Sequence, residues 1–435
     1  MSVRPPLPGG PYLVVGLARS GVAAALALRA RGETVIGVDG GSPDVGRLAA
    51  EGVEVHLDDQ GVELLDRVAT LVKSPGVPHT APAVEAARAR GIPLVGELEL
   101  AWRMLPNDFI AVTGTNGKTT TTEWIGHVHR EAGLPVAVAG NVGTAVASLV
   151  GAVDPAATVV CEASSFQLED TTAFAPEAAV LLNITPDHLD RHGTFEAYRE
   201  AKLNAFRRQR PDGVAVAPAD TAVPGAARRI SVGSGGEMRL DGEALVWRDE
   251  PFMRADEIRL PGPHNRENAM AAAAVCLARG IDPDAVRGGL RTFRGVAHRL
   301  EPVGERDGVA YVNDSKATNV DSTLVALRSY PPGAVHLILG GRTKAQDFAP
   351  LAPLVAERCA SVHLIGEGAG EIAAALADTA VPLHEDGDLE RAVAAARAAA
   401  RAGEVVLLSP ACASFDQYPD FEARGEHFRA LVEAL

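Results

Sequence analysis

The chain has 435 residues and a formal net charge of −15 at neutral pH. This length exceeds the size at which one hydrophobic core keeps growing, so we expect two or three domains; the acidic charge argues against non-specific nucleic-acid binding, which needs a basic face. The four cysteines are scattered, the N-terminus lacks the apolar core of a secretory signal, and no apolar run reaches the ~20 residues that span a bilayer, so we expect a reduced cytoplasmic protein without a membrane span.

The first region predicts half of a Rossmann-like unit. An apolar strand at residues 12–15 leads into a glycine-containing turn at residues 16–21 and an Ala- and Leu-rich helix, and the next strand ends at Asp39. Ala18 stands where a dinucleotide fingerprint places its central glycine, at which the pyrophosphate approaches the backbone. The turn by itself does not establish an NAD or FAD site, and another phosphorylated ligand in the same crevice stays open.

A further strand at residues 68–72 is followed by Ser74-Pro75-Gly76. Ligands of open α/β sheets bind at such carboxyl ends of strands, although a Pro-Gly turn without a ligand fits the same residues. A strand at residues 92–95 and a short helix close this region. The turn at residues 106–108 gives the first boundary, and hence an N-terminal domain of residues 1–105.

The next stretch predicts a phosphate-binding loop. Residues 109–112 form an apolar strand, and Gly114-Thr115-Asn116-Gly117-Lys118-Thr119-Thr120 precedes a helix that we expect from residue 121. The glycines let backbone N–H groups close on phosphate oxygens, and the helix N-terminus adds partial positive charge. Lys118 is expected to reach the terminal phosphates and the Thr119 hydroxyl to bind Mg²⁺. The first glycine of the usual pattern is missing, but strand, loop and helix together predict a nucleoside triphosphate site.

Apolar runs predict three more strands in this region, at residues 135–139, 158–161 and 178–182. Polar residues follow each of them, among them Asn141, Glu162 and His188. Glu162 and His188 are candidate ligands for the Mg²⁺ of a triphosphate site, but a helix-capping carboxylate and an ordinary loop histidine fit equally well. The alternation of strands and helices predicts a mostly parallel sheet covered by helices.

Residues 211–260 predict a small excursion of short strands separated by Gly and Asp turns, and a helix follows at about residues 265–278. We place the second boundary near residues 295–299, so that the central domain covers residues 106–297 and the C-terminal domain residues 298–435. The last region alternates again, with strands predicted at residues 309–312, 334–339, 362–365 and 405–408, and with a helix in the Ala-rich tract at residues 392–402.

Polar loops follow three strands of the last region, at residues 314–319, 340–344 and 409–416. One such loop is ordinary turn chemistry, whereas three at one edge of a sheet suggest a site. Two lysines have plain interpretations: Lys202, on an amphipathic helix, is by default a solvated lysine, and Lys344 is by default a solvent-facing loop lysine.

The chain as a whole resembles the Mur ligase family, the ATP-dependent amide-forming enzymes of peptidoglycan synthesis, in its segments 114–120, 183–191, 314–319, 340–344 and 408–425. The stretch from Leu408 to Tyr418 is typical of the member that adds D-glutamate to UDP-N-acetylmuramoyl-L-alanine. The resemblance implies three domains in an α/β fold: a Rossmann-like N-terminal domain, a central P-loop ATPase-like domain with a mostly parallel sheet, and a C-terminal Rossmann-like α/β domain.

The resemblance also assigns roles to individual residues. ATP would bind at Gly114, Thr115, Asn116, Gly117, Lys118, Thr119, Thr120, Asn265, Asn268, Arg299 and Asp314. The uridine nucleotide would bind at Ser20, Asp39, Ser74 and Gly76, and D-glutamate at Thr318, Lys344, Ser414 and Phe421. Two Mg²⁺ sites would use Thr119, Glu162, His188 and Lys202, and the catalytic residues would be Lys118, Asn141, His188 and Lys202. Gly40-Gly41 stand where some members have Thr-Arg, so the uracil contacts beside Asp39 stay open.

In the family the lysine at the position of Lys202 carries a carbamate. An ammonium would repel Mg²⁺, whereas the addition of CO₂ to a neutral amine creates a carboxylate-like oxygen ligand. The implied reaction passes through an acyl phosphate, formed when the L-alanine carboxylate attacks the γ-phosphate of ATP, and ends when the amine of D-glutamate attacks the acyl carbon. We expect a monomer with no nucleic-acid partner.

Three alternatives stay open on the sequence. The first is another amide ligase of the superfamily, such as folylpolyglutamate synthase or a different Mur step. The second is a regulator that binds nucleotide without catalysis, against which the presence of Glu162, His188 and Lys202 argues. The third is an NAD-dependent oxidoreductase that would use the turn at residues 16–21.

Overall fold

The computed structural model describes residues 4–260, 262–343 and 346–435, and for Asp190 the backbone alone. The chain divides into two compact units, Met1–Phe293 and Arg294–Leu435. Within the described residues, no helix combines the length and the apolar character that a bilayer crossing needs.

The first unit begins with a five-stranded parallel sheet in the order β3-β2-β1-β4-β5. Its strands are β1 (Tyr12–Val15), β2 (Val35–Asp39), β3 (Glu54–Leu57), β4 (Thr70–Lys73) and β5 (Leu94–Gly96). The helices are α1 (Arg19–Ala30), α2 (Gly46–Ala50), α3 (Pro82–Ala89) and α4 (Glu97–Met104). The strand order reverses between β1 and β4, which creates a crevice at their carboxyl ends. The edge strand β3 was not predicted, because its sequence alternates charged and apolar residues over only four positions.

The central sheet of the same unit has nine strands in the order β14-β13-β12-β11-β10-β9-β6-β8-β7. They are β6 (Phe109–Thr113), β7 (Val136–Gly140), β8 (Thr158–Glu162), β9 (Ala178–Leu181), β10 (Val214–Pro218), β11 (Arg228–Val232), β12 (Met238–Asp241), β13 (Ala244–Trp247) and β14 (Glu250–Arg254). The sheet is parallel from β7 to β12, and β13 and β14 are antiparallel. The short strands predicted at residues 211–260 therefore extend the central sheet.

Six helices described in this part of the unit accompany the central sheet: α5 (Lys118–Glu131), α6 (Ser165–Leu168), α7 (Leu189–His192), α8 (Phe195–Arg207), α9 (Pro263–Ala278) and α10 (Pro283–Thr292). Helix α5 begins three residues earlier than predicted. Gly117 has a φ of +83°, which turns the chain straight from the loop into the helix. Trp124 of α5 is fully buried, and its ring stacks on Phe293 at 4.7 Å between centroids.

The first two sheets share one hydrophobic core, which includes Val14 and Trp102 from the N-terminal region and Phe109 and Phe174 from the central region. The rings of Trp102 and Phe174 meet edge to face at 5.7 Å. The fully buried carboxylate of Glu99 accepts hydrogen bonds from three successive backbone N–H groups, at residues 172–174. This shared core explains why both sheets belong to one compact unit.

The second unit contains a six-stranded sheet in the order β15-β16-β20-β17-β18-β19, in which only β15 is antiparallel to its neighbour. Its strands are β15 (Glu301–Arg306), β16 (Val309–Asn313), β17 (Val335–Gly340), β18 (Cys359–Ile365), β19 (Leu383–Gly387) and β20 (Val405–Leu408). Its helices are α11 (Val320–Leu327), α12 (Ala352–Arg358), α13 (Ala369–Leu376), α14 (Leu389–Ala399) and α15 (Phe421–Glu433). The α/β class with three mostly parallel sheets is confirmed, although the edge strands β15 and β19 were not predicted.

Candidate active site

The phosphate-binding loop lies between β6 and α5 and is fixed to the end of β9. The N–H of Thr115 donates to the Asn183 carbonyl, and the N–H of Asn116 donates to the Asn183 side-chain oxygen, each at 2.9 Å. The Lys118 ammonium donates to two carbonyls of its own loop, those of residue 114 at 3.0 Å and residue 115 at 2.8 Å. Asn183 therefore shapes the loop, a role that the sequence did not assign to it.

Helix α9 faces the loop and the first turn of α5, which carries Thr119 and Thr120. A Cβ atom at Gly117 would lie 2.3 Å from Asn268 Oδ1, so the α9 side chain packs directly against this glycine. The Asn268 amide lies 3.4 Å from Asn265 Oδ1, one turn earlier in α9. The structure thus packs Asn268, one of the residues predicted to bind ATP, against the phosphate-binding loop, with Asn265 beside it.

Lys202 of α8 points into this loop and is 2% exposed. Its ammonium donates to the Gly114 carbonyl at 2.7 Å and lies 4.4 Å from the centroid of the Tyr198 ring. Burial, and then the neighbouring charge of Lys118, lowers the pKa of Lys202 to about 7. The plain interpretation of a solvated helix lysine is therefore wrong. The hydroxyl of Tyr198 also reaches Thr115 Oγ1 at 3.1 Å.

Glu162 and Asn141 meet at the ends of the neighbouring strands β8 and β7. Glu162 is 3% exposed, and its Oε1 accepts from Asn141 Nδ2 at 3.2 Å, while the Asn141 N–H donates to the Glu162 carbonyl at 2.9 Å. Within the part of the chain that the structure describes, no ion pair forms at Glu162. A buried carboxylate that forms no salt bridge is a suitable ligand for a metal ion, and Mg²⁺ prefers such oxygen donors.

His188 precedes α7 in a left-handed conformation, with φ at +50°, and about half of its side chain is exposed. Its imidazole lies 4.8 Å from the Phe166 ring and 3.4 Å, at Nε2, from Asp187 Oδ2. The guanidinium of Arg191 covers the same Phe166 ring at 4.3 Å. His188 thus lies at an accessible loop beside α6.

A cavity of about 370 Å³ opens at the crevice between β1 and β4. Its lining joins the carboxyl ends of the N-terminal sheet to those of β7 and to α6, and includes Gly16, Ser20, Asp39, Ser74, Gly76, Asn141 and Gln167. The Ser74 hydroxyl donates to the Gly16 carbonyl at 2.6 Å, and the Asp39 carboxylate accepts from the N–H groups of residues 17 and 41 at 2.6 and 2.9 Å. All the residues predicted to bind a uridine nucleotide line this one cavity.

Gln167 was not predicted as a site residue. Its side-chain oxygen accepts from the Ser164 N–H at 3.0 Å, and the Ser164 hydroxyl accepts from the Gln167 N–H at 3.3 Å, which forms a capping box at the start of α6. The spacing Ser-x-x-Gln is the signal from which this arrangement could have been inferred.

In the second unit, Arg424 of α15 joins three loops at the carboxyl ends of β16, β20 and β17. It is 1% exposed, and its guanidinium donates to Ser315 Oγ at 2.9 Å, to the Ser315 carbonyl at 2.8 Å and to the Cys412 carbonyl at 3.2 Å. A longer contact of 3.5 Å reaches the Gly340 carbonyl. The sequence predicted a site at these loops, but it did not assign to Arg424 the role of holding the loops together.

Asp314 follows β16 and is buried at this edge. Its Oδ2 accepts from the Ser409 hydroxyl at 2.7 Å and its Oδ1 from the Leu300 N–H at 3.1 Å. Burial raises the pKa of Asp314 to about 6, against these hydrogen bonds and the charge of Arg299, which lower it. Asp314 and Arg299, the two residues of the second unit that were predicted to bind ATP, are thus electrostatic neighbours.

Two of the residues predicted to bind D-glutamate, Thr318 and Ser414, lie on the same loops, and a third, Phe421, begins α15. Ser414, after β20, is buried, Thr318 follows β16 and is partly buried, and the ring of Phe421 lies 5.9 Å from Lys316 Nζ. Lys344, the predicted carboxylate-binding lysine, lies outside the described residues.

Known proteins match the chain throughout its length. Three family models match in order: "Mur ligase MurD-like, N-terminal domain" at residues 11–96, "Mur ligase middle domain" at residues 112–276 and "Mur ligase, glutamate ligase domain" at residues 298–412. The UDP-N-acetylmuramoylalanine–D-glutamate ligase of Acidobacterium capsulatum is 43% identical, with 98% of this chain and 97% of the relative covered. The chain belongs to the Mur ligase family.

Relatives of the same name support this membership. The protein of Anaeromyxobacter dehalogenans is 45% identical with 98% of each chain covered, and that of Pelotomaculum thermopropionicum is 43% identical with 97% of each covered. Solved structures share the fold of this Mur ligase: UDP-N-acetylmuramate-alanine ligase MurC of Thermotoga maritima at a TM-score of 0.58 and 19% identity, and MurF ligase of the same organism, in complex with ADP, at 0.54 and 17%. These two alignments cover 98% of this chain, and 99% and 96% of the solved chains.

Proposed function

We propose that this Mur ligase joins D-glutamate to UDP-N-acetylmuramoyl-L-alanine at the expense of ATP, as a step of peptidoglycan precursor synthesis. The observation that carries the proposal is the identity of 41–45% over nearly full length to relatives that bear this activity in their names. The sites agree with it, since Asn141 lines the cavity and contacts Glu162 at the end of β8, the neighbour of the strand β6 that leads into the phosphate-binding loop.

We assign the uridine nucleotide to residues 1–105, ATP to residues 106–297 and D-glutamate to residues 298–435. The cavity lined by Asp39 and Ser74 holds the uridine nucleotide, with its L-alanine end toward Asn141, the lining residue that contacts Glu162. The proposal includes a cytoplasmic location, since both nucleotides are substrates of that compartment, and a monomer.

A carboxylate is a poor electrophile, so it must be activated before an amine can attack it. An oxygen of the L-alanine carboxylate attacks the γ-phosphorus of ATP, the bond to ADP breaks, and an acyl phosphate forms. Lys118 and the N–H groups at the start of α5 stabilise the negative charge on the transferring phosphoryl group. The amine of D-glutamate then attacks the acyl carbon, phosphate leaves, the amine loses its proton, and an amide remains.

The side chains at the loop fit Mg²⁺. Thr119 and Glu162, with Lys202 as its carbamate and His188 for a second ion, would hold it, and bound Mg²⁺ would neutralise phosphate charge. Lys202 is suited to carbamate formation, because its lowered pKa keeps a large part of the amine neutral near neutral pH. In that step the amine nitrogen bonds to the carbon of CO₂ and releases one proton.

D-Glutamate carries two carboxylates, which require cations or hydrogen-bond donors. We assign them to Thr318 and Ser414 on the loops that Arg424 holds together, and to Lys344, with Phe421 against the carbon chain. The lysine supplies the charge that distinguishes an acidic amino acid from a neutral one.

A phosphate-release assay tests the function. Release should require ATP, UDP-N-acetylmuramoyl-L-alanine and D-glutamate together, and omission of any one should abolish it. Release with another nucleotide precursor or another amino acid in place of these two would identify a different ligase of the superfamily.

A further inference from the structure

A network of buried and partly buried charges contacts the loop of residues 74–77, and its members are absent from the lining of the nucleotide cavity. Lys73, the last residue of β4, is completely buried, and its ammonium lies 2.8 Å from Asp170 Oδ2. Asp170, just after α6 in the central region, is 4% exposed and also accepts from His79 Nε2 at 2.8 Å. The N-terminal region thus supplies the lysine and the central region the carboxylate.

The same lysine fixes the shape of the loop. Its ammonium donates to the Val77 carbonyl at 2.8 Å, which closes residues 73–77 on themselves. Arg191 donates to that carbonyl from the other side at 3.0 Å, and its guanidinium is held by Glu169 at 2.9 Å. Ser74, Pro75, Gly76 and Val77 all line the 370 Å³ cavity. One buried and one partly buried cation therefore hold the wall of the nucleotide cavity.

This network is not a metal site. His79, Glu169 and Asp170 offer ligand atoms within 4.8 Å of one another, the only such group of three among the residues that the structure describes. Lys73 and Arg191, however, already place two positive charges against these carboxylates. A divalent cation would have to displace both.

A buried ion pair is expensive to form and seldom the most stable choice for a core position. Burial lowers the pKa of Lys73, and the charge of Asp170 only partly offsets this. Replacing such a pair by apolar or neutral groups of similar size is often neutral for stability or improves it. The pair therefore needs another explanation, and the loop that it clamps supplies one.

We propose that Lys73 and Asp170 are positioning residues that hold the 74–77 loop in the conformation that binds the uridine nucleotide. Neither side chain lines the cavity; they act through the Val77 carbonyl and the backbone of the loop. The proposal rests on the proposed function only for the identity of the nucleotide.

The test uses the full-length chain with the variants Lys73→Met, Asp170→Asn and the double variant. Each single change removes one partner of the buried pair and should lower the unfolding temperature, whereas the double variant should recover it to within about 2 °C of the wild type. Calorimetry should nevertheless show the double variant to bind UDP-N-acetylmuramoyl-L-alanine roughly 10-fold more weakly, with binding of a non-hydrolysable ATP analogue changed by less than about 2-fold. In turnover, the KM for the precursor should rise by the same factor while kcat stays within about 3-fold.

The control is the double variant Arg279→Met/Asp108→Asn, which removes a more exposed ion pair of the same unit, with atoms 2.6 Å apart, outside the lining of the cavity. It should bind the precursor like the wild type.

A double variant at Lys73 and Asp170 that is stable and binds the precursor with wild-type affinity overturns the proposal, because the pair would then be merely structural. A wild-type chain that binds the precursor but releases no phosphate with D-glutamate refutes the proposed function and leaves the binding test decisive. Absence of precursor binding by the wild type refutes both.

Discussion

Lys202 shows how the burial of a single charged residue can lower stability. Its amine is buried beside another lysine and its pKa falls to about 7. In the unfolded chain a lysine has a pKa of ~10.4. Between these two values the unfolded chain binds more protons than the folded one, so the free energy of unfolding rises with pH across this window. Below about pH 7 the full cost of the buried charge is present.

Replacement of Lys202 by Met should therefore stabilise the protein and abolish turnover. In buffer freed of CO₂, where Lys202 is an unmodified amine, we expect the free energy of unfolding to rise by roughly 1–4 kcal/mol at pH 7, because a buried ammonium is replaced by an apolar chain of similar length. The gain should shrink between pH 7 and pH 9, as the wild-type amine loses its proton. Urea unfolding at these pH values and the phosphate-release assay measure both effects. Turnover equal to that of the wild type would contradict the proposed role.

At the scale of elements, the phosphate-binding loop depends on the direct contact between Gly117 and α9. The positive φ of Gly117 and the 2.3 Å approach of Asn268 Oδ1 both exclude a side chain there. The helix that follows can begin at Lys118 only because this turn is available. Strand, loop and helix are local, whereas the packing of α9 on the loop is a tertiary contact.

The variant Gly117→Ala should lose most of its ATP affinity. A Cβ would strain the backbone and push α9 away from the loop, so we expect binding at least roughly 10-fold weaker in calorimetry. Gly133→Ala is the matched control, because Gly133 ends the same helix with φ at +67° and has no atom within 4 Å of an added Cβ. It should lose about 1 kcal/mol of stability and keep its ATP affinity. Equal ATP binding by both variants would refute the packing argument.

The sheet of the second unit buries a chain of polar side chains under α14. Ser361 Oγ contacts His336 Nδ1 at 2.7 Å and His363 Nε2 at 2.9 Å, and the two histidines end on Glu404 and Asp386 at 3.0 and 2.8 Å. The buried residues of α14 are small or β-branched apart from Leu389, which leaves room for two imidazoles. This packing explains why the Ala-rich tract forms a helix at this place.

Ser361→Ala should leave two buried imidazole nitrogens without their partner. The free energy of unfolding of the second unit should fall by about 1–3 kcal/mol, the cost of unsatisfied buried polar groups. Ser329→Ala, at an exposed position of the same unit, should change it by less than about 0.5 kcal/mol. Chemical unfolding followed by circular dichroism distinguishes the two. An unchanged midpoint for Ser361→Ala would show that the network adds nothing to stability.

At the scale of the whole molecule, hydrophobic cores decide which parts can fold independently. The second unit has cores of its own, centred on Leu337 and Leu364 on one face of its sheet and on Ile338 and Val406 on the other. The N-terminal sheet instead shares its core with the central sheet through Trp102 and neighbouring residues.

An expressed fragment of residues 294–435 should therefore fold cooperatively, with a single thermal transition and a native circular dichroism spectrum. A fragment of residues 1–105 should be much less stable, since Trp102, 3% exposed in the full chain, would lose Phe174 and Phe109. In the fragment of residues 1–105, the fluorescence of Trp102 should have its maximum at the wavelength of a water-exposed indole. A fragment of residues 1–105 as stable as that of residues 294–435 would contradict the shared core.

The sequence by itself determined the α/β class, the buried strands and the phosphate-binding loop, because apolar runs, glycines and the Lys-Thr pair are local patterns. The resemblance to the Mur ligase family, rather than a local pattern, predicted Ser20, Asp39, Ser74 and Gly76, which line the cavity at the carboxyl ends of β1 and β4. Tertiary structure alone decided that Lys202 is buried beside Lys118, that Asn183 and Arg424 hold loops together, and that Lys73 meets Asp170. Burial and charge pairing depend on residues that are far apart in the chain, so no local pattern contains them. The edge strands β3, β15 and β19 escaped prediction for a related reason: half-exposed strands lack a continuous apolar run, and their neighbours in the sheet define them.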